Sequence, residues 1–182
     1  ALARLEKMKD NLISDDTLSE IDSEREVLIN ERVLLLKDAK RGFRSSDEVR
    51  GKLERWAADY AHLFFTAYGL DCVPGGYELY VKYDLIGYTY DDNIDISNMK
   101  WFCQLTGSSL NSSDGGGNSI LSNIIIQYVI PWLKSHVDIW DLYNCQQTHF
   151  ISRVFSQILS VISTSSPAYK ELKDYIIDSI VK

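Results

Sequence analysis

Asp91, Asn93 and Asp95 stand at alternate positions in Asp-Asp-Asn-Ile-Asp, the spacing with which an EF-hand loop offers its first three oxygen ligands to calcium. That loop needs a glycine at its sixth position for the sharp turn and a bidentate glutamate at its twelfth. Here those positions are Ile96 and Phe102, so no calcium site is assigned. Cys145 and His149 are one helical turn apart, but two side chains do not make a four-ligand zinc site. His62 and His136 have no suitable partner nearby in sequence and read as ordinary surface or core histidines. The glycines of residues 114–119 lack the Lys-Ser/Thr ending and the preceding strand of a phosphate-binding loop. Asn111-Ser112-Ser113 matches a glycosylation sequon by pattern only. No nucleophile, base and orienting group recur together, so the residues assign no catalytic, metal or cofactor role, and the chain reads as non-enzymatic.

The bulk properties narrow the partners. A chain of 182 residues can build a core without staples, and its net charge of −7 repels phosphate backbones wherever no basic patch overrides it. The most basic window, Lys37 to Arg55, is interrupted by Asp38, Asp47, Glu48 and Glu54, and reads as solvated helix surface. Direct nucleic-acid binding is therefore not expected. Cys72, Cys103 and Cys145 are odd in number and unpaired in spacing, which suits a reducing compartment. No apolar run reaches the ~18 residues that span a bilayer, so no membrane association is expected. The chain begins with Ala1, and reads as part of a longer protein.

The elements that must position these residues have a helical period. Leu2, Leu5, Met8 and Leu12 make one short stripe. After Asp15, Asp16 and Thr17, the positions Leu18, Ile21, Arg25, Leu28, Arg32, Leu35 and Ala39 predict a long amphipathic helix ending near Gly42. Residues 1–44 thus form a coiled-coil-like arm, with Arg25, Leu28, Arg32 and Leu35 as candidate partner-binding positions. Ser45 and Glu48 form a capping box for a helix whose face Leu53, Trp56, Tyr60, Leu63, Phe64 and Ala67 is expected in the core. Pro74 and its two following glycines are expected to close that helix. Residues 77–90 fit a strand or a helix equally, and Ser97 is expected to cap a short helix through Leu105. Residues 106–119 read as a mobile Gly/Ser loop. Pro131 should kink or break the apolar run Ile120–Trp140. A helix over Gln147–Ile162 follows. Pro167 then starts a last one, with Leu172, Tyr175, Ile176 and Ile180 inward. In the corner between residues 139 and 150, Trp140 is expected to anchor the preceding helix. Asp141 and Asn144 would satisfy free amides of the next helix, and Gln147 and Thr148 would occupy its first turn. The expected fold is all-α, a helical bundle or stacked helical array with residues 45–182 as its domain.

Four segments in order resemble the GCFC domain of the GC-rich sequence DNA-binding factor family and its paired-box-binding relatives. Trp56, Tyr60, Ala67, Tyr68, Cys72 and Pro74 match the first segment, and residues 79–90 match the second more loosely. Asn98, Met99, Trp101 and Phe102 match the third. Pro131, Leu133, Trp140, Asp141, Gln147 and Thr148 match the fourth, with Leu142 where the family has proline and Asn144 where it has serine. The resemblance covers about residues 46–160 and marks a divergent member. It implies a helix over residues 77–90, a nuclear location and no enzymatic activity. As function it implies a protein-interaction scaffold in pre-mRNA splicing, through spliceosomal proteins such as a G-patch protein and a DEAH-box helicase in intron-lariat spliceosome disassembly. The alternative it implies is a transcription factor or adaptor that binds GC-rich DNA or a paired-box factor.

Overall fold

The computed structural model describes residues 15–32, 34–86, 88, 94–108, 110 and 119–181, with side chains from Ser23 onward except that of Arg25. The stripe within residues 1–13 and the Arg25, Leu18 and Ile21 side chains lie outside the described residues. So do Asp91, Asn93, Asn111, and residues 109 and 111–118 of the expected loop. The chain divides into two compact units, Ala1–Asp38 and Ala39–Lys182. Among the described residues every regular element is helical and there is no strand, as the hydrophobic periods predict.

The first unit contains α1, Asp15–Arg32. Two expectations about it are corrected. It stops ten residues before Gly42, in the successive turns Leu34 N–H to Glu31 O and Leu35 N–H to Arg32 O, so Leu35 lies in a turn. It is also not amphipathic, because the consecutive residues Val27, Leu28 and Ile29 are all exposed, and consecutive helical side chains point about 100° apart. Among its described side chains none is buried and only Arg32 is half-buried, so this half of the helix leans on local propensity, which is marginal over this length.

In the second unit a 3-10 turn, Arg41–Phe43, is tied down by the Tyr80 hydroxyl, which donates to the Phe43 carbonyl at 2.6 Å. Helix α2, Ser46–Asp59, starts where the capping box places it: Ser45 Oγ accepts from the Glu48 amide at 3.3 Å. The Glu48 carboxylate reaches back one residue further than the usual box, to the Arg44 amide. At Tyr60 (φ −134°, ψ 48°) the helix breaks, and α3, Ala61–Thr66, sets off anew. The expected aromatic core face therefore does not exist as one face. Only Phe64 is buried, with Leu53 packed partly against the core, while Trp56, Tyr60, Leu63 and Ala67 are exposed.

Tyr68 then adopts a left-handed conformation (φ 54°) and starts α4, Gly69–Leu85. Gly69 is required there, since a Cβ would lie 2.5 Å from the Phe64 ring. Pro74 does not end a helix, as expected, but sits inside α4. It forgoes an amide bond to the carbonyl four residues back, and burial of its ring in the core offsets that loss. The helix reading of residues 77–90 holds through Leu85.

Asp95 caps a 3-10 turn, Ile96–Asn98, by accepting from the Ser97 amide at 2.9 Å. Helix α5, Lys100–Thr106, begins after Met99 without a side-chain cap, so Ser97 does not serve as one. The run from Ile120 stays helical to Asp138, and in place of the expected kink or break at Pro131 a π turn ends two residues before the proline. The run consists of α6, Ile120–Ile124, a π turn, Ile125–Val129, and α7, Ile130–Asp138. The wide turn closes with the Ile130 amide on the Ile125 carbonyl, one residue before the proline that could not donate. Helices α8, Cys145–Leu159, and α9, Pro167–Val181, complete the array. Leu172 is buried and Tyr175 and Ile176 partly so, but Ile180 faces solvent.

The core is one cluster drawn from Phe64 of α3, α4, the segment Ile94–Met99, α5, α6, the π turn, α7, α8 with Ile162 after it, and Leu172 of α9, with Trp101 its largest fully buried side chain. Lys134 and Glu171 (2.6 Å) tie α7 to α9, where the Tyr175 hydroxyl donates to the Asp138 carboxylate. Among the described residues no helix is long and apolar enough to cross a membrane.

Candidate functional site

The motif residues fall into two settings. In the corner after α7, the Trp140 indole N–H donates to Thr148 Oγ1 at 3.1 Å and the Gln147 side-chain carbonyl accepts from the Asp141 amide at 2.7 Å. Asn144 Oδ1 accepts from the Gln146 and Gln147 amides and so caps α8. Asp141 does not cap that helix, since its carboxylate accepts from the Tyr143 amide and closes a local turn instead. Trp140 is half-buried against the core. Pro74 and Trp101 are buried as well, and Phe102 is partly so, its ring edge-on to Trp101 with centroids 5.7 Å apart. The corner residues thus find their polar partners inside the domain, while the buried Trp101 indole N–H has no hydrogen-bond partner among the described residues.

The other setting is α3 and its two junctions. Tyr60, Leu63, Phe65 and Tyr68 are 60, 59, 60 and 72% exposed, and every residue of α3 except Phe64 faces solvent. The geometry explains this exposure. The break at Tyr60 and the left-handed turn at Tyr68 let a six-residue helix stand on one anchor, the Phe64 ring. Trp56 packs edge-on against that ring (4.9 Å, 88°), and Gly69 lies beneath it. Burying a large apolar side chain contributes about 1.5 to 3 kcal/mol. Several left in water on one short segment therefore mark a surface that gains by being covered. A non-glycine residue in the left-handed region costs on the order of 1 to 3 kcal/mol, and such residues gather at functional sites. Tyr68 combines that strain with the highest exposure of the group.

Of the residues singled out from sequence, the structure brings Trp56, Tyr60, Ala67 and Tyr68 together at this segment, on the outside. Leu63, taken for core, belongs to the same surface. Phe65 was missed, because it lies off the apolar spacing that picked out the others. The Arg25 side chain lies outside the described residues. Leu28 is exposed on α1 and Leu35 on the following turn, and Arg32 is half-buried at the helix end. No catalytic geometry appears in either setting. Among the described residues no three His, Cys, Asp or Glu side chains converge as metal ligands, and the three cysteines are exposed and free. His149 Nε2 accepts from the Arg153 guanidinium at 2.7 Å.

One relative bears on these surfaces. The chain is 26% identical over 134 residues to a transcriptional repressor, ILP1 of Arabidopsis thaliana. The match covers 69% of this chain but 15% of that protein, so the chain corresponds to a small part of the relative's length. No family model matches the chain, and no solved structure does.

Proposed function

We propose that the chain is a non-enzymatic protein-interaction module of a nuclear regulator of gene expression, acting as a transcriptional adaptor. The observation that carries the reading is the exposed aromatic segment α3, with Tyr60, Leu63, Phe65 and Tyr68 presented to solvent. Aromatic side chains with polar tips are the residues on which protein interfaces concentrate their energy. The similarity to a protein named as a transcriptional repressor supports the transcriptional role over a spliceosomal one. The net charge of −7 favours an adaptor that meets DNA through another protein.

Tethering tests it. Fused to an unrelated DNA-binding domain, the chain lowers transcription of a reporter several-fold. Replacing Tyr60, Leu63 and Tyr68 together by serine abolishes the effect while the chain stays cooperatively folded, its melting temperature lowered by a few degrees at most. An inert wild-type fusion, with intron retention rising in cells depleted of the protein, would return the reading to a splicing scaffold.

A further inference from the structure

Helix α4, the π turn and α7 frame a groove of about 810 Å³, lined by Tyr88, Gln127, Tyr128, Pro131 and Trp132 together with the Glu78–Lys82 pair. Three features restrict what fits it. Its charges cancel, since Lys82 Nζ lies 2.5 Å from the Glu78 carboxylate and 5.8 Å from the centre of the Tyr128 ring. On a chain of net charge −7 an acidic peptide or a phosphate backbone gains nothing from such a groove, and a cationic ligand must displace Lys82. Its walls are aromatic. Its donors are uncommitted, because the Gln127 amide, the Tyr128 hydroxyl and the Trp132 indole N–H have no acceptor among the described residues. The π turn carries two of these donors, Gln127 and Tyr128, within the turn of helix that precedes Pro131.

A helical ligand spends its carbonyls on its own amides and leaves such donors unpaired, and a β-strand needs a sheet edge, which helices do not offer. A polyproline II segment meets both conditions. Its carbonyls point outward without internal partners, its rings stack on aromatic side chains, and it is neutral and already extended, so little ordering entropy is lost on binding. We propose that the groove between α4, the π turn and α7 binds a neutral proline-rich segment of a partner protein in the polyproline II conformation. The groove shares no lining residue with α3, so this proposal stands or falls independently of the adaptor role.

The test uses residues 1–182 and four fluorescent decapeptides of matched length: a neutral proline-rich one, a Gly/Ser one, an acidic one and an amphipathic helical one. The proline-rich peptide binds with a Kd below about 1 mM, and the others bind at least tenfold more weakly. Trp132→Ala abolishes binding. Because Trp132 also packs against His136 and Phe150, the decisive variants are Tyr128→Phe and Gln127→Ala. Each removes a donor with little loss of wall, and each weakens binding several-fold with unchanged melting. Tyr60→Ser leaves binding unaltered. Absence of saturation by the proline-rich peptide, equal affinity for the Gly/Ser peptide, preference for the helical or acidic one, or full affinity in both donor variants would overturn the proposal.

Discussion

The corner at Trp140 and the helix α3 are built from the same kinds of residue, aromatic side chains with polar tips and small polar neighbours, and the fold uses them in opposite ways. At the corner the indole N–H, the Gln147 carbonyl and the Asn144 carboxamide each find a partner within eight residues. At α3 only Phe64 turns inward, and the tyrosines flanking it stand in water. Residue type does not separate a structural aromatic from an interfacial one. What separates them is whether the surrounding backbone closes on the ring or carries it outward.

Removing the anchor of the open region should have the largest effect. Phe64→Ala is expected to cost about 3 to 5 kcal/mol, since it empties the buried ring site that Trp56 and Gly69 enclose. Chemical denaturation measures it, and a loss below 1 kcal/mol would mean that α3 is held by something else.

The alkaline limb of stability comes next. Burial pushes the Tyr77 hydroxyl from 10.0 to about 12, and that hydroxyl has no hydrogen-bond partner among the described residues. A raised folded-state value makes the contribution of neutral Tyr77 complete below pH 10 and lost as the pH climbs toward 12, on the order of 2 kcal/mol in all. Tyr77→Phe should flatten that part of the pH profile and leave stability at neutral pH unchanged or higher, because it removes an unpaired buried hydroxyl. An unchanged alkaline profile would show that the hydroxyl is paired or hydrated.

In the closed corner Trp140→Ala should cost about 2 to 3 kcal/mol, less than a fully buried tryptophan would. Asn144→Ala should cost about 1 kcal/mol through loss of the α8 cap. Both are read from thermal or denaturant melts, and a Trp140 variant with wild-type stability would move that residue to the interface class. The smallest effect on stability is expected in the open region, where serine at Tyr60, Leu63 and Tyr68 together should shift folding by no more than about 0.5 kcal/mol per site while removing reporter repression.

The signals legible in the sequence are those whose cause is local. Ser45, Asn144 and Pro167 start helices where their side chains or rings dictate, and Pro131 announces an irregularity one turn before itself. The failures have non-local causes. The face from Leu53 to Ala67 has a helical period, but only Phe64 of its second half turns inward, because the backbone breaks at Tyr60 and departs again at Tyr68. Neither residue carries a turn signature that a glycine or asparagine would. Pro74 looks like a terminator because its cost is local, while its compensation, burial in the core, comes from the rest of the fold. The stripe on α1 has the right spacing, yet Leu28, the apolar stripe residue of that helix among the described side chains, is exposed. The groove beside the π turn was invisible for the same reason: its lining residues come from segments some forty residues apart, and only packing brings them together.

The π turn has one more consequence, for how this segment tolerates change in length. Each residue of an α-helix advances the chain by about 100°, so one surplus residue in the turn at Ile125–Val129 sets the azimuth of everything after it. Deleting a single residue there would restore a regular helix and swing Leu133 and Val137 out of the core by roughly that angle. Substitutions within the turn are tolerable where side chains fit, whereas its residue count is not free to drift. The irregular turn thus acts as a counting device that keeps the two halves of one long helix in phase with different neighbours.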